Sequence, residues 1–212
     1  MRVGPVPTAL PTPSARIVEA RRTPASLTEI RAALSRAMTA LTGHAPSGRA
    51  LDTLAGQVSL ETAGGAQMFN FNFGGIKGVS PQGESANYMT REVLGGQSVH
   101  LEQGFRAYGS LDAGARDYVA VLKTRFPEAF AKAAAGDVQG FAHALKAGHY
   151  YTAPESEYAA GLMAASGRGA SAQGAIGVQP VPTNLPTTSE LSRVLDALSA
   201  TAARIADPDP TE

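Results

Sequence analysis

The sequence predicts an α+β fold, mostly helical, with one small β-hairpin lobe. Three observations carry this. Apolar residues recur at helical spacing in a series of capped segments. A single stretch near the middle alternates with period two instead. Between the two kinds of pattern lies a Gly-rich run with no strong periodicity at all.

The elements follow in chain order. Residues 1–25 are rich in Pro and Thr and read as an extended tail. Ser26-Leu27-Thr28-Glu29 has the Ser-x-x-Glu spacing of a capping box, after which Ile30, Leu34, Ala37, Met38 and Leu41 keep one helical face and Gly43 closes it. Ser47 can cap a second helix, whose stripe Leu51, Leu54 and Val58 is continued three residues on by Glu61. Residues 62–80 form the Gly-rich loop. Residues 86–93 and 98–108 read as a hairpin around Leu94-Gly95-Gly96-Gln97, with Tyr88, Thr90 and Glu92 on one strand face. Helices resume near Leu111, with Tyr118, Val119 and Leu122 inward, and again after the cap Asp137, with Phe141, Ala142 and Leu145 inward up to Gly148. Pro154 suits the first turn of a further helix that buries Tyr158 and Leu162, with Met163 beside them.

The foldable unit is thus 26–165. Residues 166–188 read as a linker, and 189–206 as a terminal amphipathic helix capped by Thr187-x-x-Glu190, with Leu191, Val194, Leu195, Leu198, Ala202 and Ile205 in one stripe. That stripe must pack on the domain, on a second copy, or on a partner protein.

Composition narrows the function. In 212 residues, 18 Lys and Arg balance 18 Asp and Glu, so nucleic acid is not the expected partner. With Cys 0, disulfides, thiolate nucleophiles and zinc ribbons are out. His44, His100, His143 and His149 have no HExxH spacing, the Gly pairs lack a strand–GxGxxG–helix frame, and no G-x-S-x-G elbow occurs. No metal or cofactor is expected. The N-terminus carries no apolar run of signal-peptide or membrane-span length, so a non-standard export route or phage-type release is expected if the protein works outside the cytoplasm.

The informative stretch is Gln57 to Gly78, where Glu61 ends a helix and meets an aromatic, Asn- and Gly-rich loop. A general acid for glycosidic cleavage must hold its proton near neutral pH. A carboxyl at the end of a buried stripe is desolvated, and the negative end of the helix dipole acts in the same direction. The alternative is a last-turn glutamate pointing to solvent or paired with Arg49 or Lys77. Glu92 is the natural second carboxylate for a two-carboxylate hydrolysis, with Glu84 and Glu102 as rivals; taken alone, Glu92 reads more readily as a solvated strand charge beside Arg91. Phe69, Phe71, Phe73, Tyr88, Tyr108, Tyr150 and Tyr151 are expected around the cleft, where aromatic rings suit the flat C–H faces of sugars.

With these residues placed, the chain resembles the bacterial peptidoglycan endo-β-N-acetylglucosaminidases of glycoside hydrolase family seventy-three, whose members include the muramidase domain of the flagellar rod-cap protein. Gln57-Val58-Ser59-Leu60-Glu61-Thr62 is similar to the family's helix ending in Leu-Glu-Ser or Leu-Glu-Thr. Asn72-Phe73-Gly74-Gly75-Ile76-Lys77-Gly78 is similar to its Asn-x-Phe-Gly-Ile-Lys-Gly loop, and Thr90-Arg91-Glu92 to its Thr-x-Glu. Phe105-Arg106-Ala107-Tyr108, Asp117-Tyr118 and Tyr150-Tyr151-Thr152-Ala153-Pro154 match further segments in order. The family's Gly-Trp-Gly is here Ala63-Gly64-Gly65, and its Phe before Gly-Ile-Lys is Gly74.

The resemblance implies a lysozyme-like fold and cleavage of the β-1,4 bond between N-acetylglucosamine and N-acetylmuramic acid of peptidoglycan, in the periplasm or cell wall. It implies Glu61 as general acid and Glu92 as base or auxiliary carboxylate. Asn72, Phe73, Tyr108 and Tyr150 would contact the sugar. Two other readings stay open: a lytic transglycosylase, and a non-catalytic wall-binding module on the same scaffold.

Overall fold

The computed structural model describes residues 15–94 and 97–174, with side chains for 15–89 and 102–167. A short strand β1 (Arg16–Val18) precedes two helices, α1 (Leu27–Thr42) and α2 (Gly48–Glu61). The hairpin β2 (Glu84–Leu94) and β3 (Gln97–Arg106) follows, then α3 (Leu111–Arg125), α4 (Pro127–Ala135), α5 (Val138–Ala147) and α6 (Glu155–Gly174). The expected α+β architecture, mainly helical with a small hairpin lobe, is what the chain adopts.

Helix starts are set locally. Ser26 and Glu29 complete a reciprocal capping box at α1. Ser47, Ser110 and Asp137 each accept a backbone N–H of the first turn of α2, α3 and α5, at 3.1, 3.2 and 2.8 Å. Pro127 opens α4, where its missing N–H costs nothing.

The helices then pack around α2, which lies against α6, α1 and α4. Ile30, Leu34, Leu54, Val58, Phe141, Leu145 and Leu162 are sealed in that core. Truncating any of the leucines to Ala should destabilise the domain by about 2–5 kcal/mol.

Two segments differ from the sequence expectation. The end of the presumed tail is stitched to the domain: β1 pairs in parallel with β2, Arg16 opposite Glu84, to make a sheet of order β1-β2-β3. The backbone there is extended as expected, but its hydrogen-bond partners lie far along the chain, beyond the reach of any local pattern. At the other end, α6 continues as helix through residues assigned to a linker, as far as Gly174. Tertiary contact accounts for the first of these residues, Ser166. A Cβ on Gly56 of α2 would fall 2.2 Å from the Ser166 Oγ, so the bare glycine lets α6 lie tightly on α2. Met163, expected beside the buried pair, is 50% exposed. The expected helix 189–206 and the rest of the linker lie outside the described residues.

Among the described residues no helix is long and apolar enough to cross a membrane.

Candidate active site

Glu61 occupies the last turn of α2 because the helix is stopped there. Thr62 hydroxyl donates to the Val58 carbonyl at 2.6 Å and accepts the Gly65 N–H at 3.0 Å, which folds the chain back on the helix end. Gly65 then sits at φ +90°, and a Cβ there would lie 2.0 Å from the Ala25 carbonyl oxygen. The carboxyl therefore projects from a fixed helix end rather than from a loop.

Its surroundings are three tyrosines from three different elements: Tyr118 on α3, Tyr150 before α6, and Tyr158 on α6, all buried. As a residue Glu61 keeps some exposure, but its Oε1 is buried and has no hydrogen-bond partner among the described residues. Burial pushes its pKa from 4.5 up to about 8, while the Tyr150 hydroxyl, by favouring the carboxylate, pulls the other way. The effect is mutual. All three tyrosine hydroxyls are held well above the ordinary range, by burial first and by the Glu61 charge second. A carboxyl of this kind is protonated at neutral pH and can donate.

Two polar groups fix the cage. The Tyr150 hydroxyl donates to the Gly74 carbonyl at 3.3 Å, tying the cage to the Gly-rich loop. Gln57, one turn before Glu61 and fully buried, accepts from the Tyr118 hydroxyl and donates from Nε2 to the Tyr158 oxygen at 3.3 Å.

A second aromatic group stands apart from the first. Phe69 of the loop stacks on Tyr88 of β2 at 5.1 Å, and Tyr88 stacks on Phe105 of β3 at 4.2 Å. Arg22 and Lys77 each lie over an outer ring of this ladder, Phe69 and Phe105, with the charge 5.8 Å from the centroid. Phe69 and Tyr88 are half-open, so part of the stack faces solvent.

The loop between the two groups is strained and clamped. Asn70 and Phe71 have φ of +45° and +54°, a conformation disfavoured for a bulky side chain. The segment before α1 holds them there. Asn70 exchanges backbone bonds with that strap, its Oδ1 accepting the Arg21 N–H and its Nδ2 donating to the Glu19 carbonyl, both at 3.0 Å. The Thr23 hydroxyl accepts the Phe71 N–H at 2.8 Å.

The expected site residues are distributed unevenly over this frame. Glu61 and Tyr150 come together in the cage. Asn72 is buried, and its amide bridges the loop to itself and to the hairpin, through Ile76 at 2.9 Å and the Arg106 carbonyl at 3.0 Å. Phe73 is fully buried against Tyr118, with ring centroids 6.0 Å apart. Tyr108 donates to Asp117 Oδ2 at 2.5 Å, and Arg106 donates to the same oxygen at 3.0 Å. Tyr151, expected at the cleft, stacks on Tyr158 at 3.8 Å and donates to the Ala142 carbonyl, so it is a core ring. Glu92 lies on β2 with its backbone opposite Val99, its side chain outside the described residues. Of its rivals, Glu84 pairs with Arg16 and Glu102 is exposed on β3 opposite Met89.

Gln57, Tyr118 and Tyr158 were not singled out as site residues by sequence reasoning. A signal was present: Gln57 is four residues before Glu61, hence on the same helix face, and a polar residue there breaks an otherwise apolar stripe.

Comparison with known proteins supplies the context. Residues 47–168 match the family model described as mannosyl-glycoprotein endo-beta-N-acetylglucosaminidase. The structure is similar to that of a peptidoglycan hydrolase mutant from Sphingomonas sp. A1, at 26% identity and a TM-score of 0.53, over 70% of this chain and 97% of that one. It is similar in fold to the catalytic domain of the autolysin Auto from Listeria monocytogenes, at 21% identity and a TM-score of 0.53, over 71% of this chain and 88% of the other. No curated protein sequence matches the chain.

Proposed function

The chain belongs to the glucosaminidase family of glycoside hydrolases, and from that premise we propose that it hydrolyses peptidoglycan with Glu61 as its general acid. The bond is the β-1,4 link between N-acetylglucosamine and N-acetylmuramic acid. The observation that carries the reading is the Glu61 carboxyl: set among tyrosines at a helix end, unpartnered at its buried Oε1, and with burial pushing its pKa up to about 8.

The chemistry follows from that state. Glu61 gives its proton to the glycosidic oxygen as the bond breaks, and positive charge develops on the sugar ring. Glu92, on β2 of the hairpin, acts as base toward the attacking water. Tyr150, hydrogen-bonded to the loop and facing Glu61, positions the N-acetyl sugar. Asn72, Phe73 and Tyr108 serve from behind, holding the wall against which the sugar rests, because their polar atoms and rings are already engaged. The half-open stack of Phe69 and Tyr88 offers apolar ring edges against which a further sugar can rest. The place of action is the periplasm or the cell wall.

The test is a digest of purified peptidoglycan by the protein and by Glu61→Gln, followed by reduction and mass spectrometry of the soluble products. Reduced N-acetylglucosamine ends from the parent alone are expected. Anhydromuramic ends would make the protein a lytic transglycosylase. Retention on insoluble wall without released sugar would leave a binding module.

A further inference from the structure

A hollow that the reaction does not use opens beside the strained loop. It holds about 260 Å³ and is walled by the strap before α1, by Asn70, by Glu84 of β2, and by Tyr108 and Gly109 after β3. None of the three caging tyrosines lines it. Of its four charged residues, Arg16 and Glu84 are paired with each other. Arg21 and Glu19 are exposed, and neither side chain has a partner among the described residues. Their backbones are nonetheless fixed. The buried Asn70 amide accepts the Arg21 N–H and donates to the Glu19 carbonyl, both at 3.0 Å. These bonds use one of the two amide hydrogens and one of the two lone pairs on Oδ1. The hollow thus offers a cation, an anion, and an amide with a donor and an acceptor to spare, a set suited to a peptide that carries both signs of charge.

Its position narrows the choice. Tyr88 follows Glu84 by four residues on β2, so the two share a face of the sheet, about 13 Å apart along the strand. On the strap, Arg22 lies over Phe69, and Glu19 is three residues before it, at most about 11 Å away. The ring edges proposed to carry a sugar therefore stand within the reach of four extended residues, about 14 Å at most. We propose that the hollow takes the peptide stem of peptidoglycan, the short chain borne on the lactyl group of N-acetylmuramic acid. Arg21 meets a stem carboxylate with its forked N–H groups, Glu19 meets the ammonium of the diamino residue, and Asn70 meets a peptide group. The strap precedes the residues that match the family, 47–168, so this grip belongs to the chain's own addition and not to the matched segment.

The inference rests on the reading of the protein as a peptidoglycan hydrolase, so its first test is made without turnover. The full chain, nitrogen-15 labelled and carrying Glu61→Gln, is titrated by NMR with the sugar-free tetrapeptide L-Ala-D-Glu-meso-diaminopimelate-D-Ala. Saturable shifts of the Asn70 side-chain and Gly109 backbone amides are expected, with affinity about tenfold weaker once Arg21→Ala is added. Arg21 holds the loop through its backbone alone, so that variant keeps the clamp. Absence of a saturable shift, or an unchanged affinity in Arg21→Ala, overturns the proposal. The second test compares glycan strands that keep their stems with strands stripped of them by an amidase. The parent should favour stem-bearing strands in kcat/KM, and Arg21→Ala should lower that preference about tenfold. An equal loss on both substrates, the mark of a loosened strap, overturns the proposal. Peptide binding without cleavage of either strand would keep the stem site and remove the enzyme reading. Cleavage of both strands alike, without peptide binding, would do the reverse.

Discussion

The molecule holds two aromatic groups on either side of one loop, and they are built on opposite terms. The tyrosine cage of Tyr118, Tyr150 and Tyr158 is closed, comes from α3, α6 and the turn before α6, and has its hydroxyls bonded to Gln57 and Gly74. The ladder of Phe69, Tyr88 and Phe105 is half-open, comes from the loop and hairpin, and meets its neighbours through ring faces. A buried polar shell changes the protonation of what it encloses, whereas an open apolar stack offers area. Under the proposed function chemistry and grip are separated in space, and substitutions should separate them too.

The largest effect belongs to the cage. Glu61→Gln should lower kcat by about a thousandfold while substrate binding persists, measured as released reducing ends against wall affinity. In the parent, kcat/KM should fall as pH rises through about 8, where the acid loses its proton. An alkaline limb near 5 would break the picture of a desolvated acid.

The same substitution carries a stability prediction of opposite sign. Glu61 has its pKa raised from 4.5 in the unfolded chain to about 8 in the fold. Between these values the unfolded chain has released a proton that the folded one retains, so stability is full below 4.5 and declines as pH rises through 8. At pH 7 that penalty is on the order of 3 kcal/mol. Denaturant melts should find Glu61→Gln the more stable protein at pH 7 and the two alike at pH 4.

Next comes the clamp between the groups. Asn70→Ala removes two side-chain bonds to the strap and places alanine at φ +45°. A loss of about 2 kcal/mol in stability is expected, with a rise in KM as the wall loosens. The ladder should give the smallest response. Tyr88→Leu should raise KM about three- to tenfold with kcat nearly unchanged, the scale of one apolar ring contact. If kcat fell instead, the ladder would belong to the chemistry and the division would fail.

What was legible beforehand divides along a related line. The caps at Ser26, Ser47 and Asp137 act on backbone groups three residues away, so their short-range spacing reveals them. Glu61 was visible because it continues the Leu51–Leu54–Val58 stripe of its own helix. The strap was not, because three residues pairing with Glu84–Ala86 leave no periodicity of their own. The end of α6 was obscured by Ser, Gly and Ala, residues that read as a linker until Gly56 of another helix is seen beneath Ser166. The aromatic residues were counted correctly as a concentration, but their division into cage and ladder depends on which element each ring faces. Tyr151 and Phe73 are core.

The bond from Gln57 to Tyr158 spans 101 residues of chain, and the one from Tyr118 spans 61. Until α6 has docked, Glu61 is an ordinary solvated carboxylate, ionised at neutral pH and chemically idle toward a glycoside. Closing loops of that length is among the later events of folding. If Glu61 is the acid proposed above, a half-folded chain has helices but lacks a carboxyl protonated at neutral pH. In refolding experiments, wall-degrading activity should lag behind the recovery of far-ultraviolet dichroism, and return together with burial of the tyrosines.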